Sequence, residues 1–464
     1  MSSPGNTPDK EATSATVGET VTPSPPIEIS PSSDPPDGGL LAWLQVAGSF
    51  ALYWNHLGLL NSFGAFQTYY EDHLLKDSSP SAISWIGSIQ VFCLMSLSVF
   101  VGPLFDAGYC KALIISGTFL VTCGFMLTSI GTQFWHILLS QGICMGLGTC
   151  CLQIPSIAVV PRYFVKRRAR AMAFATVGSS LGATIYPLMF QNLQPRIGFG
   201  WTVRIMGFIS FAMCSFSIAV IRPRQTSATA AQPKKGFSPR RFVDPTALKD
   251  RNFIIYTIAI FFSNIAYFEP IFYLQSYAME HGMQGQNLAK YLLSILNASS
   301  IPGRIVPSFV ADKIGSLQTY IWISALSGGS ILYWISVTNT AGNIAFSVLY
   351  GFFSGGVVSL APVVLTHITS DLNLLGTRLG MVSVLKGIGS LIGPPISGAL
   401  LEATGNYLGL QLFAGLSLIV TAFFSLDFLP SLGALANPIT NNTQLNAFTG
   451  RSNPCTANLY VNKE

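Results

Sequence analysis

Charged side chains are scarce in this sequence. Of its 464 residues, 9% are Asp, Glu, Lys or Arg and 50% are hydrophobic. A soluble domain carries about 25% charged residues, and a chain of this length could not cover its surface in water with so few. The mean hydropathy of +0.49 agrees with this. The composition therefore excludes an ordinary soluble protein and indicates a chain embedded in a lipid bilayer.

The sequence also lacks the motifs of common enzymes and metal sites. It contains no G-x-x-x-x-G-K-[ST] to cradle phosphates and no H-E-x-x-H metal pair. Its eight cysteines show no metal-ligand spacing, and most lie in apolar runs where a thiol acts as a small hydrophobic group. We therefore expect no enzymatic activity, no metal and no cofactor. Without an ATP site, any uphill transport must be driven by a coupled gradient.

A cleavable signal peptide is not visible either. Residues 1–36 are rich in Ser, Thr and Pro and have no apolar core, so we predict a disordered cytoplasmic tail. The segment 430–464 is polar and is predicted to be a second cytoplasmic tail.

What the sequence has in abundance is long apolar runs. A helix needs about 20 apolar residues to cross a bilayer, and twelve stretches meet this requirement. The predicted spans are 41–66, 82–104, 112–131, 135–160, 171–192, 201–221, 253–275, 287–309, 318–337, 343–366, 378–400 and 407–428. The predicted fold class is all-α, with twelve transmembrane helices.

The basic residues lie mostly in alternate loops. With an internal N-terminus, the inner loops hold nearly all the Lys and Arg, and the outer loops hold little beyond Lys76, Arg196 and Lys290. This asymmetry places both termini in the cytoplasm. The spacing of the basic residues between apolar spans also argues against a nucleic-acid partner.

The longest inner loop, 222–252, divides the spans into two sets of six. The predicted halves are 37–221 and 253–429. Gly102-Pro-Leu-Phe-Asp106 follows span two, and Val310-Ala-Asp312 follows span eight at the corresponding place. This faint repeat predicts two pseudo-symmetric six-helix halves with a substrate site between them near the midplane.

Two motifs carry a resemblance to a known family. Residues 163–179 read YFVKRRARAMAFATVGS, and residues 37–43 read DGGLLAW. They resemble the two signatures of the monocarboxylate transporter family within the major facilitator superfamily, and the Pro/Ser-rich N-terminus is similar to the fungal branch. The resemblance covers roughly residues 37–430. It implies a carrier of a small organic anion, with a single-span accessory partner that the sequence cannot reveal.

The resemblance also suggests particular site residues. Arg304 in span eight matches the family's substrate-binding arginine, while Ser300 stands where the family has an acid. Asn61 stands where better-known members have a proton-binding lysine. Two proton-handling positions are therefore neutral here, which counts against simple proton–lactate symport.

Other ionisable groups also lie at membrane depth. Placing a charge there costs free energy, and such residues are usually functional. Lys386 joins Arg304 as a candidate for anion binding, and Glu269 and His56 are candidates for proton coupling. Packing is the alternative explanation for His56. Tyr267 and Phe268 flank Glu269 and are candidates to stack on a ring larger than lactate.

A gate is predicted at the inner mouth of the helices. Asp106 and Asp312 follow spans two and eight, and Lys166, Arg167 and Arg168 precede span five. The basic triplet is expected either to orient the chain and contact lipid headgroups or to pair with acids in one conformation. Asp106 is expected to cap span three or to pair with this cluster.

Three functions remain open from the sequence. The first is secondary or facilitated transport of an organic monocarboxylate by alternating access, from a default location in the plasma membrane. The second is export of a larger secondary metabolite, or import of an aromatic vitamin-like compound. The third is a non-transporting nutrient sensor on a carrier fold, which the short tails disfavour.

Overall fold

The computed structural model of this chain describes residues 37–78, 80–224, 243–283, 287–369 and 371–426. The two predicted tails, and residues 225–242 of the predicted central loop, lie outside the described residues. All regular structure within the described ranges is helical.

The helices follow the predicted spans in order. In the first half they are Leu40–Tyr53, Trp54–Gly58, Phe63–Tyr69 and Tyr70–Leu74 (span one), Pro80–Ser96 and Ser98–Asp106 (two), Cys110–Thr128 (three), Phe134–Ile137, Leu138–Met145 and Gly146–Ala158 (four), and Arg168–Val220 (five and six). In the second half they are Arg251–Tyr267 and Glu269–Glu280 (seven), Leu292–Ile314 (eight), Ser316–Trp334 (nine), Thr340–Ile368 (ten), Leu375–Thr404 (eleven) and Leu408–Leu426 (twelve).

Within the described residues, eight helical stretches are long and apolar enough to cross a bilayer. One of them, Arg168–Val220, has 53 residues and as a straight helix would measure about 80 Å, more than twice the hydrocarbon thickness. It is broken at Gly198, whose φ of 79° is a conformation that other residues rarely adopt. This stretch therefore supplies spans five and six, and the twelve-helix architecture agrees with the helix order.

Several helices extend beyond the predicted windows. Span one was expected over 41–66, but its helix continues as a π-helical turn, Tyr70–Leu74. Span seven is interrupted at Phe268, directly before Glu269 and Pro270. Apolar windows underestimate these helices because polar end residues still form backbone hydrogen bonds outside the hydrocarbon layer.

The two halves meet along two helix pairs. Span five packs on span eight, and span two packs on span eleven. The second contact is very close: a Cβ on Gly102 would lie 2.2 Å from the carbonyl oxygen of Gly376. Membrane helices approach this closely only through residues without side chains. The pseudo-symmetric halves therefore form one bundle with a path between them.

Candidate transport pathway

A large cavity lies at one end of the bundle. We call the end that carries Arg162, Arg168, Arg170 and Arg378 the basic end, and the opposite end the far end. The cavity has a volume of about 960 Å³ and lies between the halves at the far end. Its volume is at the upper end of the range for drug-sized ligands.

Aromatic and amide side chains dominate the wall of this far cavity. The aromatic residues are Phe63, Tyr69, Trp85, Phe92, Phe190, Phe268, Phe272 and Tyr273. The amides are Asn61, Gln67, Gln191, Gln194 and Gln275. Among the residues that the structure describes, the wall contains no Asp, Glu, Lys or Arg. The cavity therefore suits a bulky, ring-bearing compound better than a small ion.

The structure places two predicted substrate residues in this wall, Asn61 and Phe268. Phe268 stacks on Phe272 with ring centroids 5.9 Å apart, and its edge meets the Tyr267 ring at 5.0 Å. Tyr267 itself does not line the cavity. The break in span seven thus presents aromatic faces to the space between the halves.

Arg304 does not line the far cavity. It is 3% exposed, and its Nη1 donates to the Thr176 carbonyl oxygen at 2.5 Å and to Ser179 Oγ at 2.7 Å. Ser300, one turn earlier, shares a 2.6 Å hydrogen bond with Ser180. Both predicted substrate residues of span eight therefore bind span five of the other half. They close the path one helical turn below Ala183, which lines the cavity.

Glu269 lies behind the cavity wall. It is fully buried, and neither carboxylate oxygen has a hydrogen-bond partner among the described residues. It packs against Gly393 of span eleven. Lys386 lies seven residues earlier in that helix, about 10 Å away along its axis, so the two groups do not form an ion pair.

His56 and Lys386 line a second, smaller cavity on the side of the basic end. His56 is fully buried, and its Nε2 lies 3.0 Å from Ser156 Oγ of span four. The sequence placed these two residues in the membrane, and the structure brings them together between spans one and eleven.

At the basic end, Asp106 joins span two to span eleven. Its Oδ1 accepts from the Gly376 N–H at 3.0 Å, and its Oδ2 accepts from the Thr377 N–H at 2.6 Å and from the Thr377 hydroxyl at 2.8 Å. Arg162 lies 3.8 Å from the same carboxylate. Asp106 thus satisfies free N–H groups in the first turn of span eleven, where the helix dipole favours an anion. The expected cap on span three is not formed.

Asp312 makes the equivalent contact in the other direction. It follows span eight and accepts from the Ala169 N–H at 3.1 Å, in the first turn of span five. Arg170 Nε forms an ion pair with it. Each half therefore places one carboxylate on the start of a helix in the other half. The two carboxylates belong to the two copies of the faint sequence repeat.

The basic triplet contributes less to these contacts than its neighbours do. Lys166 and Arg167 are exposed, whereas Arg168 donates to the Phe164 carbonyl at 3.1 Å and to Thr366 at 3.4 Å. The ion pairs come instead from the flanking Arg162 and Arg170. Neither arginine was among the predicted gate residues, although both belong to the same run of basic residues.

The two signature segments lie against each other. Asp37 Oδ1 accepts from the backbone N–H groups of Val165 at 2.6 Å and Lys166 at 2.8 Å. Trp43 meets the Phe164 ring edge-on at 5.4 Å. The start of span one is therefore fastened to the loop that enters span five.

A further contact fixes the end of the central loop. Asp244 Oδ2 accepts from Arg378 Nε at 2.9 Å, at the start of span eleven. Burial alone would raise the pKa of Asp244, but hydrogen bonds from Thr246 and Arg378 outweigh it and lower this pKa below its usual value. The pair therefore persists at mildly acidic pH. No local sequence pattern predicts this ion pair, because Asp244 and Arg378 are 134 residues apart.

These features define a membrane carrier that is hollow at the far end and closed at the basic end. Residues 43–371 match the sequence profile of the Major Facilitator Superfamily. The chain belongs to that superfamily. The match does not distinguish the monocarboxylate transporter family within it.

Curated relatives are similar over most of their length. The MFS-type transporter dbaD of Emericella nidulans is 36% identical, covering 87% of this chain and 90% of that protein. The aspyridones efflux protein apdF of the same organism is 39% identical over 83% of this chain and 77% of that protein. The agnestins efflux protein AgnL12 of Paecilomyces divaricatus is 35% identical over 86% and 90%.

A solved structure shares the fold. The crystal structure of the Major Facilitator Superfamily transporter FucP in its outward conformation superposes with a TM-score of 0.64 at 17% identity. The match covers 83% of this chain and 98% of that one.

The contacts of Asp106 lead to a prediction about conformation. We expect Asp106→Ala to weaken closure of the basic end, because loss of a cap costs about 1 kcal/mol. The far cavity should then be open for a smaller fraction of the time. The measurement is the labelling rate of Gln191→Cys, in the cavity wall, by a membrane-impermeant maleimide in a cysteine-free background. Asp77→Asn, an exposed change at the far end, is the control. A labelling rate that Asp106→Ala leaves unchanged would contradict the role of this cap.

Proposed function

We propose that this protein exports a bulky, ring-bearing secondary metabolite by alternating access. The observation that carries the proposal is the far cavity, which is drug-sized, aromatic and free of fixed charge in its described wall. Binding there relies on burial and ring stacking, with amides to orient polar substituents. The relatives whose names include aspyridones and agnestins efflux support export of such compounds.

Transport of a small monocarboxylate has less support. Lactate would fill a small fraction of the cavity, and the arginine expected to bind its carboxylate donates instead to span five. Asn61 and Ser300 cannot titrate. The signature motifs thus accompany a site with different chemistry.

The distribution of charge among the loops indicates how the protein is oriented in the membrane. We infer that the basic end faces the cytoplasm, with both termini there, and that the far end opens outside the plasma membrane. In this orientation the described conformation presents its cavity to the exterior, which is the state that releases an exported compound. The contacts of Asp106 and Asp312 form the inner gate of this scheme.

Proton coupling fits Glu269 better than His56. An ionised carboxylate with no cation beside it in a buried apolar site costs several kcal/mol, so this site accommodates the neutral acid. The groups facing it from the packed helices are Ser397, Tyr273 and Tyr350, and none is charged. Because Glu269 lies at the break in span seven and touches span eleven, movement of these helices would change its access to water. We propose that it carries the proton that is exchanged for the metabolite.

The proposed function predicts which compounds leave loaded proteoliposomes. We expect release of bicyclic and tricyclic aromatic compounds from a mixed panel, and no release of lactate or pyruvate, as measured by mass spectrometry. Phe272→Ala should raise the half-saturating concentration about 3–10-fold, because a stacking face is lost. Phe119→Ala, which removes an exposed ring of span three, should have no effect. Release of lactate alone would overturn the proposal.

If Glu269 carries the proton, its substitution should separate exchange of the transported compound from the acceleration of that transport by a proton gradient. Glu269→Gln should retain exchange of labelled for unlabelled compound but lose its acceleration by a proton gradient, because the amide keeps the shape and cannot titrate. Glu402→Gln, an exposed change at the end of span eleven, should leave both rates unaltered. If Glu269→Gln still responds fully to the gradient, the proton is carried elsewhere.

A further inference from the structure

A small cavity, which we call the chamber, lies between the far cavity and the basic end. Its volume is about 50 Å³, enough for a carboxylate or a few water molecules but not for a ring. The polar side chains in its wall are Tyr53, His56, Gln153, Tyr256, Ser383 and Lys386. Spans one, four, seven and eleven supply them.

The chamber carries positive charge without a counter-ion. Among the residues that the structure describes, no carboxylate lines the chamber or lies within ion-pairing distance of Lys386. Both Lys386 and Arg304 act electrostatically on His56. Lys386 is only partly exposed. A cation held away from bulk water without a partner is costly, and an anion from outside the protein would remove that cost.

The neighbouring polar groups cannot fill this role. Gln153 is occupied, because its Oε1 accepts from Ser98 at 2.6 Å and its Nε2 faces Met95 Sδ at 3.7 Å. His56 Nδ1 is buried and has no hydrogen-bond partner in the described chain. Because the Ser156 hydroxyl donates to the Gln153 carbonyl, the Nε2–H of a neutral His56 donates to Ser156, and Nδ1 carries a lone pair that cannot donate to an anion. The chamber therefore offers the Lys386 ammonium to a ligand.

The chamber lies directly below the far cavity. On span eleven, Ser383 and Lys386 line the chamber, while Gly387 and Ser390 line the far cavity. On span one, Leu57 borders the chamber and Leu60 borders the far cavity.

Leu60, Leu94 and Met95 form a small apolar cluster between the two spaces. Leu57 and Val91 pack against it. A few apolar side chains, about one helical turn thick, thus separate a site for rings from a site for an anion.

We propose that the chamber is the anion subsite of the transport site, and that the exported compound is a ring-bearing acid. Its carboxylate, enolate or phenolate binds Lys386, and its ring body occupies the space of the far cavity when the helices rearrange and the apolar cluster parts. A compound arriving from the basic end would meet Lys386 before it meets the aromatic wall. This inference rests on the proposed function, because it needs the far cavity to hold the ring.

The test compares an acid with its uncharged ester. Binding of naphthalene-2-carboxylate and of methyl naphthalene-2-carboxylate is measured by calorimetry on the full chain in lipid nanodiscs. We expect the acid to bind more tightly. Lys386→Met should weaken the acid about tenfold to a hundredfold, the range for a charge-assisted hydrogen bond, and leave the ester unchanged. Lys386→Arg should largely restore the preference.

The ester also reports whether the variants are folded, since its affinity depends on the far cavity alone. Lys111→Met, an exposed change at the start of span three, is the matched control and should alter neither affinity. Equal binding of acid and ester, unaffected by Lys386→Met, would overturn the anion subsite and leave the proposed function standing. Binding of neither compound would count against the ring-binding cavity and so against the proposed function itself.

Discussion

The contact of one carboxylate with the free N–H groups of a helix in the opposite half organises this molecule. Asp106 does this for span eleven and Asp312 for span five. The helix starts are positive and need acceptors, and the carboxylates need donors where the hydrocarbon layer ends. Because each half supplies one acid and one helix start, the two contacts draw the halves together at the basic end. At the far end the two halves stay apart, and the space between them is the far cavity.

The path between the halves separates two kinds of chemistry. The far cavity is wide and aromatic, and its described wall contains His73 but no Asp, Glu, Lys or Arg. Arg304, Lys386 and Glu269 lie deeper or behind the wall. Arg304 is held by span five, Lys386 faces the chamber, and Glu269 packs against span eleven. Charges in these positions are costly in the membrane. In the proposed scheme, ring binding, anion binding and proton binding occupy different places along one path.

Much of the fold could be predicted from the sequence, because a bilayer imposes one strong rule. Every backbone group must be bonded within the chain, so apolar runs of bilayer length become helices. The order of the spans follows from this rule, whereas their division into halves was predicted from the long inner loop 222–252 and the faint repeat. Helix ends were predicted less well: the window 41–66 missed the turn Tyr70–Leu74, since polar residues can continue a helix at the membrane surface.

The site could be predicted only in part. Asn61 and Phe268 line the far cavity, and His56 and Lys386 line the chamber. His56 and Lys386 were selected as ionisable groups in apolar spans, Asn61 by the family resemblance, and Phe268 as a neighbour of Glu269. The hydrogen-bond partners of the charged residues could not be predicted. The acceptor of Arg304 is 128 residues away in sequence, and Asp106 accepts from a residue 270 positions later. Such pairings depend on how the halves meet, and no local pattern records that. The triplet 166–168 was predicted to form the gate because its charges are close together in sequence. In the structure, Arg162 and Arg170 form the ion pairs instead.

The most direct test of this account is to lock the two halves at the floor of the cavity. Ser180 and Ser300 face each other with their oxygens 2.6 Å apart, so Ser180→Cys with Ser300→Cys should form a disulfide on oxidation in a cysteine-free background. Transport is measured in proteoliposomes before and after oxidation. The account predicts that the oxidised protein still binds an aromatic compound from the far side, moves none of it, and recovers transport on reduction. An oxidised, cross-linked protein that transports at the original rate would show that spans five and eight need not separate, and would contradict the account.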